Sequence, residues 1–219
     1  MKSGLTYLVF VIDRSGSMTS IKTDMIGGFN TFIKTQKDAK LGECKVFAYK
    51  FDDVYEAMFE NVDLNDTPQL DENNYVPRGW TALYDAVATT IDNMGARLAA
   101  MKEEERPEKV LVVTITDGEE NRSKKFNQND VASRIQTQRD QYNWDFAYIG
   151  ANQDAWAVGT SMNIASNLNY TADSAGVACA FASLSDSSKD YRKTKGARFA
   201  FKLDTDDQQV AGPAKKSVS

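Results

Sequence analysis

Residues 5–18 read LTYLVFVIDRSGSM and residues 110–118 read VLVVTITDG. Leu5–Ile12 and Val110–Ile115 are nearly all apolar and rich in β-branched and aromatic side chains. Runs of this kind, without a polar alternate, are the pattern of strands buried on both faces of a parallel sheet. Each run stops at an aspartate that opens a loop, Asp13 in the first and Asp117 in the second. In doubly wound α/β folds ligands bind outside the carboxyl ends of the strands, where the strand order reverses. If these two strands are neighbours, their carboxylates meet at that edge.

Outward from these strands, the spacing predicts helices between strands. Ile21, Met25, Phe29 and Ile33 recur at helical steps behind Ser20, which is a plausible N-cap. Lys45–Phe51 and Val54–Glu60, separated by Asp52-Asp53, predict a hairpin and with it an antiparallel edge strand. Asn61–Gly79 has no sustained period and reads as an irregular loop. A helix is expected from Ala82 to Glu105, with Leu83, Val87, Ile91 and Met94 inward and Pro107 beyond its end. Further along, the pattern gives a helix over Asn129–Gln141, a strand at Asp145–Ile149 and a short helical segment near Asp154–Gly159. A strand at Ile164–Leu168 and a helix over Ala172–Leu184 complete the series. The expected fold class is α/β: a doubly wound, mostly parallel, Rossmann-like sheet with helices on both faces. We place one domain over residues 1–190 and a C-terminal extension over 191–219, frayed from Gly212 onward.

Composition removes several chemistries. The 219 residues include no histidine, so neither a Ser-His-Asp nor a Cys-His nucleophile system exists within the chain, and a histidine zinc site is excluded. The two cysteines, Cys44 and Cys179, lie far apart in apolar surroundings and read as buried free thiols. Any metal would therefore be held mainly by oxygen, which favours the hard cations Mg²⁺, Mn²⁺ or Ca²⁺. The net charge of −5 argues against nucleic acid as the partner. No leader pattern precedes Leu5 and no apolar run reaches the ~18 residues that span a membrane, so a cytoplasmic protein without membrane contact is expected.

Three loops offer the oxygens. In Asp13-Arg14-Ser15-Gly16-Ser17, alternation turns Asp13, Ser15 and Ser17 toward one point, and Gly16 allows a tight bend. Arg78-Gly79-Trp80-Thr81 delivers a threonine hydroxyl at a helix start, and Thr116-Asp117-Gly118-Glu119 delivers the second carboxylate. Each piece has an ordinary structural reading: Asp13 and Asp117-Gly118 as turn residues, Ser17 and Thr81 as helix caps. All three in this order are a much more specific signal.

In these residues the chain resembles a von Willebrand factor A domain with a metal-ion-dependent adhesion site, of the intracellular type found in bacteria and phages. The family pattern, Asp-x-Ser-x-Ser, a later threonine and a later aspartate, is matched by Asp13, Ser15, Ser17, Thr81 and Asp117. The resemblance runs over residues 5–185 and weakens after Gly150. It implies an Mg²⁺- or Mn²⁺-dependent interaction module, monomeric when free, that grips an Asp or Glu of a protein partner through an open coordination position. It implies no enzyme activity.

Two other readings stay open on the residues: a metal-dependent phosphoryl hydrolase, and a scaffold domain whose metal only stabilises loops. The first is weakened by Ser15, which stands where that chemistry needs an acid/base aspartate. Arg14 either selects an acidic partner or pairs with a nearby carboxylate. Glu119 and Glu120 read as a solvated loop or a second layer around the site, and Trp80 and Tyr84 as a contact rim or loop packing. Glu103–Glu105 and the cluster Arg192, Lys193, Lys195 and Arg198 read as solvated.

Overall fold

The computed structural model describes residues 1–151 and 155–202. Its strands are β1 (Lys2–Asp13), β2 (Cys44–Phe51), β3 (Tyr55–Asp63), β4 (Pro107–Thr116), β5 (Asp145–Ala151) and β6 (Ser166–Tyr170). Its α-helices are α1 (Lys22–Asp38), α2 (Leu83–Ala99), α3 (Gln128–Tyr142), α4 (Ala155–Ser161) and α5 (Ser174–Lys193). The sheet order is β3-β2-β1-β4-β5-β6. All neighbours pair in parallel except β2 and β3, whose antiparallel ladder makes β3 the expected edge strand.

The chain winds from β1 to β2 on one side and crosses to β4 on the other, so the order reverses at β1. The crevice at the carboxyl ends of β1 and β4 is thus the topological switch point. Alternate residues of β1 serve two cores. Leu8, Phe10 and Ile12 pack beneath α1 and α5, where the Phe10 ring meets Phe29 and Phe32 edge-on at 5.2 and 5.3 Å. Tyr7, Val9 and Val11 pack beneath α2, α3 and α4. Helices α1 and α5 approach closely at Gly28, where a Cβ would come within 2.2 Å of the Phe181 ring.

Several boundaries differ from the sequence reading. Ser20 does not cap α1: Gly16–Ile21 is a 3₁₀ stretch behind Ser15, and the α-helix begins at Lys22. Helix α2 ends at Ala99, and Glu103–Glu105 forms a separate exposed 3₁₀ turn. Arg106 holds that break by donating to the carbonyls of Met101 (3.2 Å) and Ala99 (3.3 Å). The stretch Asn61–Gly79 is less irregular than it reads, because β3 continues to Asp63 and Leu64, Leu70 and Tyr75 are buried in the core.

Helix α5 runs past Leu184 and residue 190 to Lys193. Arg192 is buried rather than solvated and donates to the carbonyls of Gln36 (3.3 Å) and Leu41 (3.1 Å). Arg198 pairs with Asp145 at 2.9 Å, and Phe199 is buried against the Tyr191 ring. Lys193 and Lys195 are exposed as expected. Cys44 is buried, but Cys179 is exposed on α5, because its apolar neighbours in sequence turn to other faces of the helix. Asp154, at the start of the helical segment expected before Gly159, and the tail from Gly212 lie outside the described residues.

Candidate metal centre

Asp13 ends β1 and is wholly buried. Its Oδ1 accepts the Ser15 amide at 2.6 Å, which bends the first loop back over the strand end. Its Oδ2 accepts the Thr116 hydroxyl, from the neighbouring strand β4, at 2.5 Å. The Tyr75 hydroxyl donates to the Asp13 carbonyl at 2.6 Å, so the strand end is fixed through main chain and side chain alike. Beyond it, the Ser15 and Ser17 hydroxyls are 3.0 Å apart, and Ser17 donates to Asp117 Oδ1 at 2.6 Å. Ser15, Thr81 and Asp117 are buried, and Ser17 reaches solvent.

The other two loops hold one another. Thr81 N donates to Asn121 Oδ1 (2.9 Å) and Asn121 N donates to the Thr81 carbonyl (3.0 Å), so one asparagine grips both sides of the threonine. The next free amides at the start of α2 are met from the same loop: Tyr84 N by Glu120 (3.0 Å) and Asp85 N by the Ser123 hydroxyl (3.0 Å). Asp85 in return accepts the amides of Lys124, Lys125 and Phe126. These are the donors that a helix start leaves unsatisfied, and the third loop acts as their cap.

The five residues singled out in the sequence come together. A Cβ placed on Gly118 would lie 3.0 Å from Thr81 Oγ1, 3.4 Å from Ser17 Oγ and 3.8 Å from Ser15 Oγ. Three hydroxyls from two loops thus converge over a glycine of the third, with Asp13 and Asp117 behind them. Burial raises both carboxyls, Asp13 to about 6, because no solvent offsets the charge; the bonds from Thr116 and Ser15 pull Asp13 back only in part. Among the described residues neither carboxylate has an ion pair with a basic side chain. Nor do the described residues gather three or more His, Cys, Asp or Glu side chains into a metal-binding group. What they offer is two carboxylates and three neutral hydroxyls, an all-oxygen donor set that suits a hard divalent cation.

Arg14, inside the first loop, turns away from this cluster. It is buried and pairs with Asp52 at 3.2 Å and Glu56 at 2.6 Å, and Arg78 joins the same Asp52 at 2.7 Å. Of the two readings of Arg14, pairing with a nearby carboxylate is the one observed. Glu120 is a brace for α2 rather than a solvated side chain, whereas Glu119 is exposed. Trp80 is exposed, and Tyr84 is half-buried against the second core. Sequence reasoning missed Thr116, Tyr75 and Asn121. Thr116 directly precedes the aspartate of the third loop and was within reach of the motif; Tyr75 sits in a stretch with no period to mark it.

No protein-family model matches the chain, and no curated protein sequence matches it significantly. Solved structures do. A von Willebrand factor type A protein from Catenulispora acidiphila aligns with TM-score 0.57 at 16% identity, over 84% of this chain and 42% of that one. The PilB minor pilin from Streptococcus sanguinis aligns with TM-score 0.53 at 10% identity, over 84% of this chain and 61% of its own. The von Willebrand domain of a type V pili tip protein from Porphyromonas gingivalis aligns with TM-score 0.57 at 9% identity, over 88% and 97%. The chain therefore spans less than two thirds of the first two and nearly all of the third. At these identities the likeness establishes the fold, which is that of a von Willebrand factor A domain. Among the described residues no helix is long and apolar enough to cross a membrane.

Proposed function

We propose that the chain is a protein-interaction module whose grip on an acidic side chain of its partner depends on Mg²⁺ or Mn²⁺ held by Asp13, Ser15, Ser17, Thr81 and Asp117. The observation that carries this reading is the meeting of three hydroxyls over Gly118, in front of two buried carboxylates that have no basic partner among the described residues. Asp13 and Asp117 supply the negative charge, and the hydroxyls supply neutral oxygens that leave much of a cation's charge uncompensated. When bound, the cation supplies an electrophilic position suited to a partner's carboxylate. Ser17, the exposed member of the set, marks the side from which a partner approaches. Asn121 and Thr116 orient Thr81 and Asp13 and so serve the site without belonging to the donor set. The likeness to a minor pilin and a pili tip domain supports the protein-binding half of the reading.

The test is calorimetric titration of Mg²⁺ and Mn²⁺ into chelator-stripped protein beside Asp13→Ala. Uptake of about one equivalent by the wild type, lost in the variant, is expected. No uptake at millimolar concentration overturns the reading. The five residues are then caps and turns whose hydrogen bonds to one another complete the loops.

A further inference from the structure

At the amino ends of the strands, away from the candidate metal centre, α2 and α3 part to leave a cleft of about 710 Å³. It opens beside Val110, six residues or about 20 Å of strand β4 from Thr116. Along its upper edge the two helices touch. A Cβ on Gly95 would lie 3.5 Å from Gln138 Nε2, and Arg134 pairs with Asp92 at 2.9 Å. The floor is apolar and buried, made by Leu98, Val110 and Trp144. The walls are fixed: Trp144 N donates to the Gln138 carbonyl at 3.2 Å, and Arg106 holds the carbonyls of Ala99 and Met101 at the end of α2. A cleft of this volume, with an apolar floor and a few polar groups at its mouth, has the build of a small-molecule site.

The charge of the mouth narrows the class of ligand. Glu103 and Glu108 line it, and among the described residues no lysine does. Glu103 is exposed and has no ion pair among the described residues. Glu108 engages only its Oε2, on Gly4 N (2.7 Å) and Ser3 Oγ (3.1 Å), and the Gly4 amide above all holds its carboxyl below the usual carboxylate range. The cations nearby are taken up elsewhere. Arg106 serves the α2 carbonyls, Arg134 serves Asp92, and Lys109 donates to the carbonyls of Tyr191 and Thr194 on the other face of the sheet. Tyr142, 56% exposed, adds an aromatic ring at the mouth, and aromatic rings attract ammonium groups. We infer that the cleft binds a small organic ammonium, whose flat apolar body lies over Leu98, Val110 and Trp144 while its protonated amine faces Glu103 and Glu108. This second site is separate from the metal centre and does not depend on it.

The test titrates three probes of one shape into the full chain in chelator: 2-naphthylmethylammonium, the neutral 2-naphthylmethanol and the anionic 2-naphthoate. An oligolysine peptide serves as a probe with charge and no apolar body. Binding is read by calorimetry, and thermal unfolding is followed beside it. The ammonium should bind with a Kd of about 0.1–1 mM, in keeping with so small a probe, and about five- to tenfold more tightly than the alcohol. The double variant Glu103→Gln, Glu108→Gln should erase that preference and leave the binding of the alcohol unchanged. Ala99→Trp, which fills the cleft from the exposed end of α2, should abolish binding with thermal unfolding unchanged. Gln141→Trp fills it from the α3 wall and gives the same reading if Ala99→Trp is unstable. The proposal is overturned if no probe binds, if the naphthoate binds as well as the ammonium, or if oligolysine binds as well as either. Binding that survives both filling variants, or a preference that survives the double variant, overturns it too.

Discussion

Asp13→Asn should stabilise the cation-free protein while removing its response to Mg²⁺. Burial raises the Asp13 carboxyl from its ordinary 3.8 to about 6 in the folded chain. Between those pH values the folded state binds more protons than the unfolded state, so stability falls as pH rises through that window, and the full cost stands above it. At about 1.4 kcal/mol for each tenfold change in proton affinity, the cost near neutral pH is about 3 kcal/mol. Asparagine keeps the shape and carries no charge. Its Oδ1 continues to accept Ser15 N, and its amide faces Thr116 Oγ1, whose proton turns to the Gly118 carbonyl already 3.1 Å away. The weaker neutral bonds return about 1 kcal/mol of that gain, which leaves the variant more stable by about 2 kcal/mol. Urea unfolding in chelator, from about pH 4 to about pH 7.5, reads this as the difference between the two pH curves; other carboxylates shared by both proteins cancel. Saturating Mg²⁺ should then add about 2.7 kcal/mol to the wild type at a hundredfold excess over Kd and nothing to the variant. A variant less stable than wild type in chelator at neutral pH, or one with an unchanged pH slope, would refute the argument that the buried charge of Asp13 is only partly compensated by its hydrogen bonds.

Gly118→Ala adds a methyl where the three hydroxyls meet, 3.0 Å from Thr81 Oγ1. Mg²⁺ affinity should fall at least tenfold by calorimetry, with unfolding in chelator changed by less than about 1 kcal/mol. Asn121→Ala removes the acceptor of Thr81 N, and should cost about 1 kcal/mol in chelator and weaken Mg²⁺ uptake as well; an unchanged affinity would show that Thr81 needs no such grip. Gly28→Ala drives a methyl into the Phe181 ring between α1 and α5, and should destabilise by about 1–3 kcal/mol in urea without touching Mg²⁺ uptake.

The two strands that decide the fold were legible because both of their faces are buried, which leaves no polar alternate to disguise them. The five candidate ligands were legible for a related reason: they sit at strand ends and helix starts, positions that topology brings to one edge. The supports of the site were not. Arg14 finds its partners on the β2–β3 hairpin, and nothing in a loop sequence says which way an arginine turns. Arg192 in a cationic run looks like a solvated residue until the carbonyls of Gln36 and Leu41 are placed around it. The end of α2 was misjudged because Lys102–Glu105 are good helix formers, and local propensity yields there to the need for the chain to turn into β4.

The arrangement of charge around β1 bears on the choice between a cation site, as proposed, and simply a well-made turn. A fold that needed Asp13 only as a turn residue had a cation at hand in Arg14, the very next residue. Instead the guanidinium of Arg14 is directed to Asp52 and Glu56, and Arg78 from the second loop joins the same Asp52. That network fastens the first loop to the second, and it withholds positive charge from Asp13 and Asp117. Buried carboxylates are ordinarily paired, or else their burial raises the affinity for protons, as it does here. Two such groups left in that condition, faced by hydroxyls and opened to solvent at Ser17, form a standing demand for positive charge that a removable cation can meet and a fixed side chain would close off.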